Sequence, residues 1–332
     1  MTMHRNGVLL VTTGSPDAPT AEAVKAYLAR FLSDKRIVDL PRWQWIPILH
    51  CCILPHRPAK SAAKYAEIWR DEGSPLIVET AKQVAALRKL LADDGHGDVP
   101  VEFCCIYSAP EIDEAVERLL GEQCCDHIVV VPFYPQYASV TNGALIQATA
   151  KALTRRLRIP SFTMVDSFSD EPLYADALAD AIRASGWTWV DDGHHALVFT
   201  FHSTLVHDVE TGDVYREQVE ETARAVAARL GLPEGAWCVG YQSVFDHRPW
   251  LGPQTETELI PQLAAQGVTE LAVIAPGFVS ECLETHFDVD VDQRRAFEQL
   301  VPEGTFTYVP CLGNDPQFIR ALGNVVEKAL RQ

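Results

Sequence analysis

Leu271-Ala-Val-Ile-Ala-Pro-Gly277 is the stretch of sequence that most directly indicates the fold. Its apolar run is typical of a buried β-strand, and the Pro-Gly pair that ends it marks a turn. The segment that follows, from Gly277 to Asp292, has helical spacing. The order strand, turn, helix predicts one βα unit of an α/β protein.

The helix after this turn is predicted to have two different faces. Residues four apart share one face of a helix, and Glu284, Asp288 and Asp292 are spaced in this way. Like charges at that spacing destabilise a helix by about 0.2–0.5 kcal/mol per pair. We therefore interpret the three acids as a cation site or a proton path, and a solvated acidic face is the alternative. The apolar face is predicted to consist of Leu283, Phe287 and Val291.

The same sequence pattern occurs twice along the chain. Pro132 follows Ile-Val-Val-Val, and 144 residues later Pro276 follows Ala-Val-Ile-Ala. Phe162-Thr163 and Phe306-Thr307 have the same separation. The repeat predicts two similar α/β halves, each with a parallel four-stranded sheet flanked by helices.

The predicted halves span residues 1–168 and 169–332. In open parallel sheets, ligands bind beyond the carboxyl ends of the strands. We therefore expect an active-site cleft between the two halves.

Composition restricts the class of protein. With 332 residues, of which 47% are hydrophobic and 22% charged, the chain is long enough for two domains or a pair of similar halves. A formal net charge of -17 argues against nucleic-acid binding, because phosphate contacts need clustered Lys and Arg. No apolar run approaches the roughly 18–20 residues of a membrane span, and no signal peptide is apparent. We expect a cytoplasmic protein.

The nine cysteines include three adjacent pairs and no C-x-x-C motif. Cys104-Cys105 lies within a predicted strand, which favours buried, inert thiols in a reducing compartment over a metal or iron–sulfur site. The other two pairs are Cys51-Cys52 and Cys124-Cys125. No structural metal is expected.

Candidate site residues are those that follow predicted strands. His202 ends the first strand of the second half and should converge with Glu284. A histidine can accept protons near neutral pH, although a lone histidine is more often structural. No dinucleotide fingerprint, P-loop or serine nucleophile elbow is present. Further candidates, for which core packing is the alternative, are Thr13, Tyr107, Tyr137 and Trp250.

An unusually apolar segment runs from Trp43 to Leu54 and includes a second tryptophan, Trp45. We interpret this region, about residues 42–55, as an exposed lip for an apolar ligand or a membrane surface. A packed helix is the alternative. Because the protein is strongly acidic, any contact with an anionic membrane is expected to be weak and peripheral.

Short blocks along nearly the whole chain occur in the order typical of one enzyme family. The blocks are Gly14-Ser15-Pro16, Phe31-Leu-Ser-Asp34, Ile53-Leu-Pro55, Gly73-Ser-Pro-Leu76, Tyr134-Pro-Gln-Tyr137, Pro249-Trp-Leu251, Pro276-Gly-Phe278 and Cys282-Leu-Glu-Thr285. On these blocks the chain resembles the ferrochelatases. The resemblance implies two Rossmann-like halves with a porphyrin between them, and a last helix, residues 317–330, that closes the chain.

The resemblance also implies a function, which is insertion of Fe²⁺ into protoporphyrin IX in haem biosynthesis. His202 matches the family's active-site histidine and Glu284 the glutamate opposite it, so both are expected to be catalytic and to bind the metal. Asp288 and Asp292 are expected to form a proton or metal path. Iron is then a substrate and no cofactor is permanently bound. The cysteine-bearing extension of iron–sulfur members is absent, so no cluster is expected. The residues expected to contact the porphyrin are Thr13, Tyr107, Tyr137 and Trp250.

The chain departs from the family pattern at several positions. Ser203 follows the histidine where glycine is usual, and Ile106 stands where an arginine is usual. The run from Gln242 to His247 also lacks the usual arginines. Fewer arginines weaken the case for ordinary recognition of propionates. A coproporphyrin ferrochelatase, a cobalt or nickel tetrapyrrole chelatase, and a haem- or porphyrin-binding homologue with altered catalysis remain as alternatives. The oligomeric state stays open.

Overall fold

The computed structural model describes residues 5–331. They form two sheets, each of four parallel strands flanked by helices, which confirms the predicted fold class. Contacts along the chain divide it into two compact units. The first unit contains residues 5–134, 139–168 and 319–331, and the second contains residues 135–138 and 169–318.

The first unit is built on a sheet with two buried central strands. Its strands are β1 (Asn6–Thr12), β2 (Val101–Cys105), β3 (His127–Pro132) and β4 (Ser161–Met164). Their order in the sheet is β2-β1-β3-β4, and all neighbours are parallel. The central strands β1 and β3 are almost entirely buried, as expected when helices cover both faces of a parallel sheet.

The helices of the first unit are α1 (Ala21–Phe31), α2 (Arg42–Ile48), α3 (Arg57–Ile68), α4 (Pro75–Asp93), α5 (Ile112–Glu117) and α6 (Ala144–Thr154). Three short π-helical segments continue or precede them, at Leu49–Ile53, Arg118–Glu122 and Ser139–Gly143. Helix α1 begins where the Thr20 hydroxyl accepts a hydrogen bond from the Ala23 N–H at 3.3 Å. Helix α4 begins at Pro75, whose fixed φ suits a first helical turn.

The second unit repeats this design. Its strands are β5 (His195–His202), β6 (Trp237–Gln242), β7 (Glu270–Ile274) and β8 (Thr305–Val309). The order β6-β5-β7-β8 is again all parallel. Its helices are α7 (Pro172–Ala184), α8 (Val206–Glu210), α9 (Tyr215–Leu230), α10 (Ile260–Ala265) and α11 (Arg294–Leu300), with π-helical segments at Thr255–Leu259 and Thr285–Gln293.

Each sheet carries its own hydrophobic core. In the first unit, side chains of β1 and β3 such as Leu9 and Val130 pack with Leu119 and Leu145 from the covering helices. In the second unit, Val198 and Val273 belong to the equivalent cluster together with Phe297. Burial of such side chains contributes roughly 1.5–3 kcal/mol each, so both sheets have the means to hold their strands in register.

The last helix, α12 (Pro316–Leu330), differs from the expectation that it belongs to the second half. From residue 319 onward it groups with the first unit. Gly323 lies so close to α4 that a Cβ at this position would be 2.6 Å from Leu90 Cδ2. Arg320 also forms an ion pair with Asp94. Close packing against α4 is therefore the reason for this assignment. The division at 168/169 otherwise stays a prediction.

The segment after Gly277 is not the regular α-helix that the sequence predicts. Residues 285–293 are π-helical, with hydrogen bonds from residue i to i+5, and α11 continues from Arg294. The wider turn changes which side chains are buried. Phe287 is buried as predicted, but Leu283 and Val291 are only half-buried, whereas Val289 is fully buried in the core.

Candidate active site

His202 lies at the carboxyl end of β5 and is half-buried. Its Nδ1 is 2.7 Å from the backbone oxygen of Ser203. A carbonyl oxygen only accepts, so Nδ1 carries a proton, and in the neutral ring Nε2 then keeps its lone pair. The Tyr215 hydroxyl donates to the His202 backbone oxygen at 3.0 Å and fixes the strand end. The histidine is thus held in a tautomer that can accept a proton at Nε2.

The neighbouring strand β6 ends in register with β5. His202 pairs with Gln242, and the Ser203 N–H donates to the Gln242 backbone oxygen at 2.8 Å. The side chain of Gln242 accepts a hydrogen bond from Gln293 Nε2 at 2.9 Å. Because Gln293 is the last residue of the π-helical segment, this bond ties the segment to the strand that adjoins His202.

The three acids that are predicted to share one helix face, called the acidic stripe from here on, have different surroundings. Asp288 accepts a hydrogen bond from the Ser243 hydroxyl. Asp292 forms an ion pair with Arg295 at 2.5 Å, which partly neutralises it. Glu284 comes directly before the π-helical segment and is half-buried. Thus Ser243 and Arg295 modify a stripe that the sequence predicts to be purely acidic.

A fourth carboxylate, Glu256, lies near this stripe and was missed from the sequence. It belongs to the π-helical segment that follows β6. Partial burial and the charges of Asp292 and Asp288 raise the pKa of Glu256, with Arg295 opposing them. The Thr-Glu-Thr-Glu run at 255–258 carries no spacing that relates it to the stripe, so only the tertiary structure shows the proximity.

Glu281 anchors the chain just before Glu284. Its carboxylate accepts hydrogen bonds from the Tyr308 hydroxyl at 2.9 Å, from Thr285 Oγ1 at 2.7 Å and from the Cys311 backbone N–H at 2.9 Å. Burial and the Glu281 charge raise the pKa of the Cys311 thiol, while burial and Glu284 raise that of Cys282. The donors from β8 and from Cys311 are 27 and 30 residues away along the chain, so no local sequence pattern indicates them.

Trp250 lies in a loop that pairs with the chain after His202. Leu251 N–H donates to the Thr204 backbone oxygen at 2.9 Å, and Trp250 forms a bridge with Leu205. The indole N–H of Trp250 donates to Asp246 Oδ1 at 3.1 Å. The half-buried ring therefore belongs to a loop that pairs with the chain just after His202, and its contact with a ligand stays a prediction.

In the first unit, Thr13 and Tyr107 lie together at the carboxyl ends of β1 and β2. The Tyr107 N–H donates to the Thr13 backbone oxygen at 3.2 Å. The Tyr107 hydroxyl donates to Asp34 Oδ2 at 2.9 Å, and burial together with the Asp34 charge raises the pKa of this tyrosine. Thr13 Oγ1 is 2.7 Å from the Tyr134 hydroxyl. Both candidates are buried and already bonded to protein groups.

A sharp turn brings these two strand ends together. Gly14 has a φ of +95°, and a Cβ there would be 2.2 Å from Ser108 Oγ. The Ser15 N–H donates to the same Ser108 oxygen at 3.1 Å. Only glycine fits this approach. Tyr137, the remaining candidate, groups with the second unit, is half-buried and donates its backbone N–H to Gln218 Oε1 at 2.7 Å.

The predicted lip is a helix with one buried and one exposed face. Trp45 is 4% exposed and donates its indole N–H to the Leu32 backbone oxygen at 2.6 Å. Leu49 and Leu54 are buried in the same cluster. Trp43, in contrast, is 76% exposed. The expectation that both tryptophans form the lip is therefore wrong for Trp45, because α2 packs that side chain beneath it.

The prediction of buried thiols was made for the Cys104-Cys105 pair, and it is confirmed. Cys104 and Cys105 are buried, and burial raises the pKa of Cys105 to about 12. Cys51, Cys52 and Cys124 are exposed. Across residues 5–331, no group of three or more His, Cys, Asp or Glu side chains is arranged to hold a metal ion. The metal-binding roles of His202 and Glu284 therefore stay predictions.

Comparison with known proteins identifies the family to which the chain belongs. A family model described as Ferrochelatase matches residues 5–330. The chain belongs to the ferrochelatase family. Ferrochelatases are lyases that insert metal into a porphyrin, and iron and haem biosynthesis are associated with the family.

Two relatives illustrate how complete the match to the ferrochelatases is. The ferrochelatase of Bordetella pertussis is 42% identical over 331 residues, with 98% of this chain and 89% of that protein covered. The ferrochelatase of Mannheimia succiniciproducens is 38% identical over 330 residues and covers 99% of both chains.

A solved structure supports the fold alone. The sirohydrochlorin chelatase SirB from Bacillus subtilis subspecies spizizenii, in complex with cobalt, matches with a TM-score of 0.54 at 13% identity. The match covers 98% of this chain and 96% of that one. None of the helices described in this ferrochelatase-family chain combines the length and apolarity needed to cross a membrane.

Proposed function

We propose that this chain inserts Fe²⁺ into protoporphyrin IX to give protohaem. The observation that carries the proposal is the hydrogen bond between His202 Nδ1 and the Ser203 oxygen, which leaves Nε2 as a proton acceptor. A neutral imidazole is the form that can take a pyrrole proton. It lies in the same unit as the acidic π-helical segment, so a base and cation-attracting groups are available together.

The proposed chemistry is balanced in charge. The macrocycle loses its two N–H protons while Fe²⁺ enters and forms bonds to the four nitrogens, so the metal replaces two positive charges. His202 accepts pyrrole protons. Glu284 and Asp288 attract the divalent cation and pass protons onward, with Asp292 further along the same path. Carboxylates suit both tasks, because they attract cations and can be protonated.

Four further residues are proposed to contact the porphyrin, which are Thr13, Tyr107, Tyr137 and Trp250. The held ring of Trp250 is suited to packing on a macrocycle. The Tyr107 hydroxyl is engaged with Asp34, so we propose that this residue acts through packing rather than through its hydroxyl.

Protoporphyrin is the proposed substrate because the chain offers an apolar lip and few cations for additional carboxylates. Trp43 is exposed on α2. Ile106 and Val244 carry no charge at positions where the resemblance leads us to expect arginine. Coproporphyrin bears more carboxylates than protoporphyrin, and arginine is the side chain best suited to pairing with them.

A second candidate function is porphyrin or haem binding without metal insertion. It is favoured by the same replacements and by Ser203 after the histidine. We also propose that iron is a substrate, that no cofactor or iron–sulfur cluster is permanently bound, and that the protein is cytoplasmic with at most weak membrane contact at Trp43.

The test is an anaerobic screen of protoporphyrin and coproporphyrin, each with Fe²⁺, Zn²⁺, Co²⁺ and Ni²⁺, and with His202→Ala as the control. We expect the highest kcat/KM for protoporphyrin with Fe²⁺, with Zn²⁺ also inserted. Faster turnover of coproporphyrin would contradict the substrate assignment. Tight haem binding with no insertion for any pair would replace the enzyme by the second candidate.

A further inference from the structure

Ser243 has a backbone conformation that serine rarely adopts. Its φ is +65°, in the left-handed region, and among residues 5–331 only Cys124, with a φ of +55°, shares this feature without being glycine. The left-handed region costs free energy for a residue with a Cβ and none for glycine. Such strain persists where the surrounding structure imposes it, and it clusters at functional sites.

The strained turn aims the serine side chain at the acidic stripe. β6 ends at Gln242, which pairs with His202, and Ser243 is the next residue. Its hydroxyl bonds to Asp288 Oδ2. An ionised carboxylate only accepts hydrogen bonds, so the hydroxyl is the donor. The turn therefore connects the strand beside His202 to one selected carboxylate of the π-helical segment.

A second hydrogen bond joins the end of β6 to the π-helical segment. It shows that the Ser243 bond has a role other than holding the segment to the strand. Gln242 and Gln293 are bonded at 2.9 Å and are both buried. That bond already ties the π-helical segment to the end of β6. The Ser243 bond is thus not required to hold the segment in place, and what it adds is the orientation of the Asp288 carboxylate.

We propose that Ser243 is a positioning residue that orients Asp288 to receive the divalent metal. The proposal rests on the proposed function, because it assumes that Asp288 handles the cation. A carboxylate with one oxygen fixed by a charge-assisted bond has a defined direction of approach for a metal ion. Loss of the hydroxyl is expected to affect metal use and to leave porphyrin binding unchanged.

The decisive variant is Ser243→Gly. Glycine accepts the left-handed backbone without strain, so the thermal midpoint should stay the same or rise. At the same time the hydroxyl is lost. With Zn²⁺ as the probe and protoporphyrin as the acceptor, KM for the metal should rise roughly tenfold, the size of effect typical of a lost bond to a charged group. KM for protoporphyrin should stay within about twofold of the wild-type value.

Two further variants serve as controls. Cys124→Gly relieves the same kind of backbone strain at an exposed position in the first unit, so it should match any gain in thermal midpoint and leave both KM values unchanged. Ser243→Asn keeps a donor and tolerates the left-handed region, because Asn adopts it more readily than most residues. We expect it to restore most of the metal affinity.

Comparison with Asp288→Asn separates the positioning role of Ser243 from the proposed function of the site. If Asp288→Asn raises KM for Zn²⁺ and Ser243→Gly does not, the positioning role is wrong and the proposed function stands. If Ser243→Gly raises KM for protoporphyrin alone, the hydroxyl serves the porphyrin and the inference is overturned. If Asp288→Asn and His202→Ala both retain full activity, the proposed site itself fails.

Discussion

The two sheets share one topology and differ in what their strand ends carry. In both units the third strand of the unit, β3 or β7, is followed by a π-helical segment. The first of these, Ser139–Gly143, contains no acidic residue, whereas Thr285–Gln293 contains three aspartates. π-helical turns occur often at functional sites. Here the backbone feature is duplicated, and the charge is found in one copy.

The connection between the first two strands, in contrast, is more elaborate in the first unit than in the second. Among the described residues, four helices, α1 to α4, connect β1 to β2, while two helices, α8 and α9, connect β5 to β6. The longer connection carries the apolar face with Trp43. The first unit thus contributes an exposed apolar surface, and the second unit contributes titratable side chains at its strand ends. Function resides in such additions rather than in the fold itself.

Substitutions at the strand ends of both units test most directly whether the chemistry belongs to the second unit. His202→Ala should lower kcat/KM for Zn²⁺ insertion by at least about 100-fold, because a positioned proton acceptor contributes roughly 10²–10⁴-fold. Glu284→Gln should also reduce it. Tyr107→Phe, at the end of β2, should change kcat/KM by no more than about threefold while losing only its bond to Asp34. A reversal of this order would move the chemistry to the first unit.

Equivalent positions of the repeat test whether the two sheets are equally stable. Val130 in β3 pairs with Met164, Val273 in β7 pairs with the equivalent residue Tyr308, and both valines are 0% exposed. Replacing either by Ala should destabilise its unit by about 2 kcal/mol through lost burial and a small cavity. Urea unfolding should show similar shifts for both variants. A shift for one that is more than twice the other would show that the sheets are unequally packed.

The smallest expected effect concerns the apolar surface of the first unit. Trp43→Ser should reduce the already small fraction of protein that sediments with anionic liposomes by about half, because an exposed indole is the main apolar group of α2. Leu157→Ser is the matched control, since Leu157 is another exposed apolar side chain and lies outside the lip. Equal loss in both variants, or none in Trp43→Ser, would show that the contact surface is elsewhere.

The sequence was sufficient for the sheets and for the strand ends. Strand cores such as Leu271–Ile274 are continuous apolar runs, and their repetition after 144 residues gave both the number of sheets and the position of His202. These signals are local or periodic, so one sequence contains them in full.

The sequence was insufficient where geometry depends on distant partners. The assumption of an α-helix after Gly277 gave the wrong buried positions, because i to i+5 hydrogen bonding shifts them to Val289. The bonds of Asp288 to Ser243 and of Glu281 to Tyr308 join residues that are 45 and 27 positions apart in the sequence. Periodicity also cannot separate Trp43 from Trp45, which differ by what lies beneath the helix.

The return of α12 to the first unit has a consequence for how the protein is made. A ribosome synthesises residues 319–331 only after the whole second unit, yet those residues complete the packing around α4 of the first. The first unit therefore stays incomplete until the second unit has been synthesised. A nascent chain stalled at residue 168 has all four strands of its sheet but lacks the helix that covers Leu90.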